Sequence, residues 1–131
     1  MSWTRINPND PAVLLVNRLT MHELAVTENI LAIALKHAKG QRITDVHLVI
    51  GQLASIVDDS VEFYWDTISQ GTSAEGAVLH FRRIPTEFQC RDCEHRYAPS
   101  HDNYTCPSCA SLRVMVVAGE EFYVEAIDVI T

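Results

Sequence analysis

Cys90-Arg91-Asp92-Cys93 and Cys106-Pro107-Ser108-Cys109 are two Cys-x-x-Cys knuckles, separated by the 12 residues from Glu94 to Thr105. Two residues between cysteines let a tight turn aim both sulfurs at one point. Two such turns, brought together by a hairpin, make the tetrahedral four-thiolate cage that zinc prefers. A cage with four thiolates and no open position cannot polarise a substrate, so a zinc held there is structural. Other readings of the same residues compete. Paired disulfides need an oxidising compartment, and a thioredoxin-type redox centre needs one Cys-x-x-Cys at a strand-to-helix junction. Iron in a rubredoxin-like site shares the spacing, but its knuckles usually carry glycine after the second cysteine, where this chain has Glu94 and Ala110. His95 and His101 lie between the knuckles and read as solvated loop residues.

The rest of the chain limits what these cysteines can be. Its 131 residues suffice for one domain with a small insert. At this size roughly two-thirds of the unfolded surface is buried on folding, so the main body needs no staple. The cysteine segment is too small to bury a core and is expected to lose its fold without metal. An apolar fraction of 47% with 21% charged residues is that of a soluble globular protein. The net charge of -7 argues against a nucleic-acid partner, whose phosphates require a concentrated Lys/Arg face. Arg82-Arg83 is the only adjacent basic pair and reads as solvated strand ends. No stretch approaches the ~20 apolar residues that span a bilayer, so no membrane contact is expected. Residues 1–20 do not resemble a secretory signal, because the apolar run Ala12 to Val16 is short and Asn7-Pro8-Asn9-Asp10-Pro11 sits where the positive region would be. A cytoplasmic location follows, in which close cysteine pairs are metal ligands more often than disulfides.

Apolar periodicity supplies the elements that must carry the knuckles. Leu24, Ile30, Leu31, Ala34, Leu35 and Ala38 recur at helical spacing, predicting a helix from Met21 to Ala38 stopped by Gly40. Thr20 with Glu23 resembles a capping box at its start. Val46, Leu48 and Ile50 mark a strand ending at Gly51. A second helix follows, capped by Asp58 or Asp59, with Val61, Tyr64, Trp65 and Ile68 on one face and Gly71 closing it. Ala77 to Ile84 is a second strand, ended by Pro85. Phe122 to Ile130 is a third, with Phe122, Val124 and Ala126 on one face and Tyr123, Glu125 and Ile127 on the other. The order predicts an α+β fold: a small three-stranded sheet covered by two helices, with the four-cysteine module inserted before the last strand. In domain terms, residues 1–20 are an extension, 21–85 and 118–131 an α+β domain, and 86–117 the zinc module.

Met21-His22-Glu23-Leu24 holds a second possibility. If translation began at Met21, the terminal amine, the amide nitrogen of His22 and its imidazole could wrap one ion in fused chelate rings, with the Glu23 amide completing a planar set suited to Ni(II) or Cu(II). Read from spacing alone, a histidine near a helix start is more often polar surface or a cap.

Several segments taken together are more specific. Met21-His22-Glu23-Leu24-Ala25 opens a helix, Ile50-Gly51-Gln52-Leu53 follows the first strand, and Glu75-Gly76-Ala77-x-Leu79 opens the second. Pro85 stands ahead of the first knuckle, and Gly119-Glu120-x-Phe122 opens the last strand. With the four cysteines, these resemble the HypA/HybF family, the nickel metallochaperones of nickel-iron hydrogenase maturation. The resemblance runs from Met21 to the end of the chain. It implies that His22 is the main nickel ligand with Glu23 beside it, and that Cys90, Cys93, Cys106 and Cys109 hold zinc. It also implies delivery of Ni(II) to the hydrogenase large subunit, or to urease, with a HypB-type GTPase as partner. Self-association into a homodimer stays open. The chain departs from the family in the 20 residues ahead of the motif, which turn the amine at Met21 into an amide; the favoured reading is an extension outside the working protein. A zinc ribbon without a nickel role is the main alternative. An enzyme is disfavoured, because no nucleophile-and-base arrangement, phosphate loop or open metal site is visible.

Overall fold

The structure is a computed structural model that describes residues 2–6, 23–54, 56–100 and 103–130. In chain order the elements are β1 (Ser2–Arg5), α1 (Glu23–Ala38), β2 (Arg42–Gly51), α2 (Asp58–Ile68), β3 (Val78–Ile84), β4 (Glu87–Cys90), β5 (Arg96–Tyr97), β6 (Val114–Ala118) and β7 (Phe122–Ile130). They build two sheets, ordered β1-β7-β2-β3 and β5-β4-β6. The chain divides into two compact units. The first comprises Met1–Val49, Ser55–Arg82 and Phe122–Thr131, and the second Ile50–Ala54 with Arg83–Glu121. The α+β class, both helices and the three expected strands (as β2, β3 and β7) are all present.

The first unit is an ordinary hydrophobic core. Helix α1 packs on α2 and on β7. It buries Val26, Thr27, Ile30, Ile33, Ala34 and Ala38, three- and four-residue steps that keep one face inward. Leu24, expected on that face, is 40% exposed because it precedes the first packed turn. The helix stops where Lys39 and Gly40 turn left-handed at φ 52 and 84. Helix α2 buries Val61 and Trp65, and the Trp65 indole N–H donates to the Ala77 carbonyl at 3.1 Å. Asp58 and Asp59 do not cap it. Val57 is the N-cap and forms no side-chain bond there, while both acids sit in the first turn, where the helix dipole favours them.

Two strands differ from expectation. Strand β2 begins at Arg42, four residues earlier, because the Ile43 amide donates to Ser73 O at 2.8 Å and the Arg42 guanidinium to Glu75 O at 2.7 Å. In β7, Phe122, Val124 and Ala126 share the buried side as expected, but Ile127 is also fully buried. The alternation breaks there, where β7 pairs antiparallel with β1 from Ser2↔Val129 to Arg5↔Ala126. That fourth strand was not anticipated. Within the extension of residues 1–20, the Ile6 amide donates to Glu125 O at 2.9 Å and the Ile6 side chain is 2% exposed. The 12–16 apolar patch and the Thr20 cap lie outside the described residues.

The second unit is made differently. Strand β4 pairs antiparallel with β5 (Phe88↔Tyr97) and with β6 (Cys90↔Val114, Phe88↔Val116). Phe88 meets Tyr97 edge-on at 6.0 Å and Tyr104 at 5.6 Å, a small aromatic cluster in place of a larger core. At its base the 51–53 turn crosses the 119–121 turn. The Gly51 amide donates to Glu121 O at 2.6 Å, the Leu53 amide to Gly119 O at 2.7 Å and the Gln52 amide to Ile84 O at 2.8 Å. The Gln52 side-chain oxygen accepts from the Thr86 amide at 2.9 Å. A Cβ on Gly51 would stand 2.0 Å from the Gly119 oxygen, backbone against backbone. Gly51→Ala is therefore expected to destabilise the protein by about 3 kcal/mol or more, since neither turn can retreat without losing these bonds; chemical denaturation of the two proteins measures it, and a change under about 0.5 kcal/mol would mean the crossing is looser than described.

Candidate metal centre

The two knuckles come from different contexts. Cys90 ends β4, so its position is set by the sheet, and Cys93 follows one turn later. Cys106 and Cys109 sit on a turn between the Tyr104 aromatic anchor and β6. Each knuckle closes with the same bond: the Glu94 amide donates to Cys90 O at 2.9 Å, and the Ala110 amide to Cys106 O at 2.8 Å. To make that bond Glu94 and Ala110 adopt φ of 63 and 62, the left-handed region that glycine occupies without strain. The sequence singled out these two positions because glycine is missing there, and they are the positions that need its geometry.

All four sulfurs lie within 4.8 Å of one another, with Cys90 and Cys106 buried and Cys93 and Cys109 exposed. Cys90 and Cys109 approach to 3.5 Å, as do Cys93 and Cys106. Those distances are far beyond a disulfide bond of about 2.05 Å. They bracket the separation of about 3.8 Å between sulfurs bonded tetrahedrally to one zinc at about 2.3 Å. The donor set thus fits a tetrahedral thiophilic ion. Among the described residues, it is the group of three or more His, Cys, Asp or Glu ligands close enough to share one ion.

The sulfurs are electrostatically unequal. Amide bonds from Cys93 and Asp92, with bonds to the Cys109 and Cys93 thiols, hold Cys90 at about 7, below a free thiol. Cys109 receives the Ser111 amide, but its sulfur neighbours and burial outweigh that and push it up to about 12. Once one thiolate forms, the others resist ionising beside it, and a cation removes that resistance.

Asp92, inside the first knuckle, has partners beyond the second. Its carboxylate accepts from the Ser111 hydroxyl at 2.5 Å and from the Arg113 guanidinium at 2.9 Å. No periodicity or motif in the sequence marks that contact. His95 is exposed and stacks on Tyr97 at 6.0 Å, so it stays a loop residue. His22 and Met21 lie outside the described residues, as does His101. Glu23 is half-buried as the first residue of α1, and its carbonyl accepts from the Thr27 hydroxyl at 2.5 Å.

In the first unit, His47 is half-buried and His80 is exposed. Their rings stack with centroids 4.8 Å apart. His47 Nε2 lies 3.2 Å from Asp128 Oδ2, and His80 Nε2 lies 2.8 Å from Asp45 Oδ1. The His80 imidazole bonded to Asp45 holds that carboxyl below its usual value. Arg82 and Arg83 are exposed near the end of β3; Arg82 reaches Glu125 at 3.0 Å, and Arg83 donates to Gly51 O at 3.3 Å.

One chain thus joins a small α+β unit to a module whose four cysteines can share one ion. A protein-family model described as hydrogenase/urease nickel incorporation, metallochaperone, HypA matches residues 21–129, and the chain belongs to that family. It is 43% identical over 112 residues to a hydrogenase maturation factor HypA of Dehalococcoides mccartyi, covering 83% of this chain and 94% of that one. It is 41% identical over 109 residues to a HypA of a Nostoc species, covering 83% and 96%. Its fold is similar to a solution structure of HypA protein, with a TM-score of 0.67 at 24% identity over 85% of this chain and 98% of the other. The solution structure of the nickel metallochaperone HypA from Helicobacter pylori follows at a TM-score of 0.62 and 24% identity, covering 85% and 99%.

Since a side chain in the left-handed region costs roughly 1 kcal/mol against glycine, Ala110→Gly and Glu94→Gly are each expected to stabilise the protein by up to about 1 kcal/mol. A rise of a few degrees in the midpoint of thermal unfolding, measured with metal bound, reports it; a fall would mean these side chains hold contacts worth more than the strain.

Proposed function

We propose that the protein is a nickel metallochaperone that carries Ni(II) at His22, with Glu23 beside it, and holds one zinc through Cys90, Cys93, Cys106 and Cys109. It delivers nickel to the large subunit of a nickel-iron hydrogenase in the cytoplasm, with a HypB-type GTPase as partner. The observation that carries this reading is the family match over residues 21–129, which spans the His22 motif and both knuckles. The family description pairs hydrogenase with urease; the relatives compared above are hydrogenase maturation factors, which favours a hydrogenase client.

Chemistry supports two metals with separate duties. When bound, zinc supplies a cross-link between the knuckles and no open position for a substrate. Four thiolates enclosing one ion make a poor hand-over point, so the cargo needs other ligands. An imidazole, a carboxylate and backbone nitrogens near a helix start suit Ni(II) in a planar or tetragonal arrangement. In the 131-residue chain the Met21 nitrogen is an amide, so His22 lacks the terminal amine that would close the first chelate ring. A version beginning at Met21 would supply that amine and is expected to hold nickel more tightly.

Native mass spectrometry during Ni(II) titration tests the reading with the full chain, a version beginning at Met21, and His22→Ala in each. The expected result is one retained zinc throughout, plus one nickel that requires His22 and binds at least about tenfold tighter when Met21 is the terminus. One zinc with no His22-dependent nickel would leave a zinc-ribbon interaction module and overturn the chaperone reading.

A further inference from the structure

Residues Ser111 to Arg113 touch both knuckles at once. The Ser111 carbonyl accepts from the Cys106 amide at 3.0 Å, which ties the strip to the second knuckle. The Arg113 carbonyl accepts from the Arg91 amide at 2.7 Å, which ties it to the first. Between these backbone bonds stands the Asp92 carboxylate. One oxygen takes the Ser111 hydroxyl at 2.5 Å and the other the Arg113 guanidinium at 2.9 Å, while the Arg113 amide donates to that same Ser111 hydroxyl oxygen at 3.0 Å. The Asp92 amide in turn points at the metal side, donating to Cys90 Sγ at 3.4 Å. One residue therefore holds a ligand sulfur with its backbone and, with its side chain, the strip that is tied to the opposite knuckle.

Building on the reading of the four cysteines as zinc ligands, we propose that Asp92 is a positioning residue, a clamp between the knuckles that aligns the sulfurs before metal arrives and slows its escape. To let zinc go, a knuckle must swing its sulfurs outward. The first knuckle cannot do so without parting Asp92 from both Ser111 and Arg113. The carboxylate is 39% exposed and the guanidinium 73%, so their attraction is screened by salt and modest in size. Its leverage comes from position, as is usual for groups that orient metal ligands from outside the coordination shell.

The experiment loads the full chain with Zn(II) and follows its transfer to an excess of a chromophoric chelator. Asp92→Ala and Arg113→Gln are each expected to release zinc about 3- to 10-fold faster than the parent, between the effect of an exposed ion pair and that of a ligand-orienting group. The double variant should be no faster than the faster single one, because the two act through one contact. Raising salt to about 1 M, where the Debye length is about 3 Å, should speed the parent toward the variants and leave Asp92→Ala unmoved. The Co(II)-substituted proteins should all keep the same four-thiolate charge-transfer and d–d bands. Equal release rates, additive single effects, or an identical salt response in Asp92→Ala would overturn the clamp, and so would altered cobalt bands. Failure of the parent itself to take up zinc would overturn the four-cysteine reading and the clamp with it.

Discussion

Four sulfurs from two distant knuckles have to meet within 4.8 Å, and the architecture of the second unit follows from that demand. Chain connectivity alone does not bring 90–93 near 106–109; pairing of β4 with β6 does, by setting Cys90 opposite Val114. The pairing needs a rigid base, which the 51–53 and 119–121 turns supply by crossing backbone to backbone at Gly51. It also needs tight turns that aim both sulfurs of a knuckle inward, for which Glu94 and Ala110 accept the left-handed backbone. The gathered sulfurs lie in hydrogen-bonding contact, Cys90 with Cys109 and Cys93 with Cys106, each pair at 3.5 Å. Amide bonds from Cys93 and Asp92 lower Cys90 to about 7, while hydrogen bonding among the sulfurs and desolvation push Cys109 up to about 12. Binding a divalent cation there therefore releases protons, since thiols must ionise to become ligands.

The two units meet the entropy of folding in contrasting ways. The first buries Trp65, Phe122 and a set of aliphatic side chains between two helices and a sheet, enough apolar area to fold on hydrophobic grounds. In the second, the aromatic trio Phe88, Tyr97 and Tyr104 and the backbone crossing stand in for a core. That difference separates the consequences of mutation. Trimming Val61 or Ile30 costs packing in the first unit, whereas a change at the knuckles alters how firmly a metal is held.

Much of this was legible in the chain. The periodicity of α1 and α2, the β7 alternation and the two Cys-x-x-Cys pairs carry their own signals, since burial on one face leaves a repeat and thiolate ligation leaves a spacing. What stayed hidden was long-range. Strands β4 and β5 are too short to show a pattern, and β6 is one apolar run whose partner lies more than twenty residues back. The start of β2 is polar at Thr44 and Asp45 and is held by loop carbonyls that no local rule foresees. β1 has no turn signal tying it to β7, so residues 2–6 read as part of a tail. The Asp92 contact with Ser111 and Arg113 is equally silent, because it depends on how the two knuckles face each other.

The proposed cargo site answers to a different constraint from the cage. A carrier has to lose its metal to a partner, which requires that its own hold be loose enough for the partner to outbid. The start of a helix is a suitable place for such looseness. Unsatisfied amides there present a partial positive charge that disfavours a cation by about 0.3–1 kcal/mol. Glu23, the first residue of α1, offsets that charge, and the proposed site would take its carboxylate as one hard ligand. The Thr27 hydroxyl already occupies the Glu23 carbonyl, so that oxygen adds little. On this reading a loose cargo site beside the start of α1 and a four-sulfur cage on the knuckles answer to opposite demands, release in one and retention in the other.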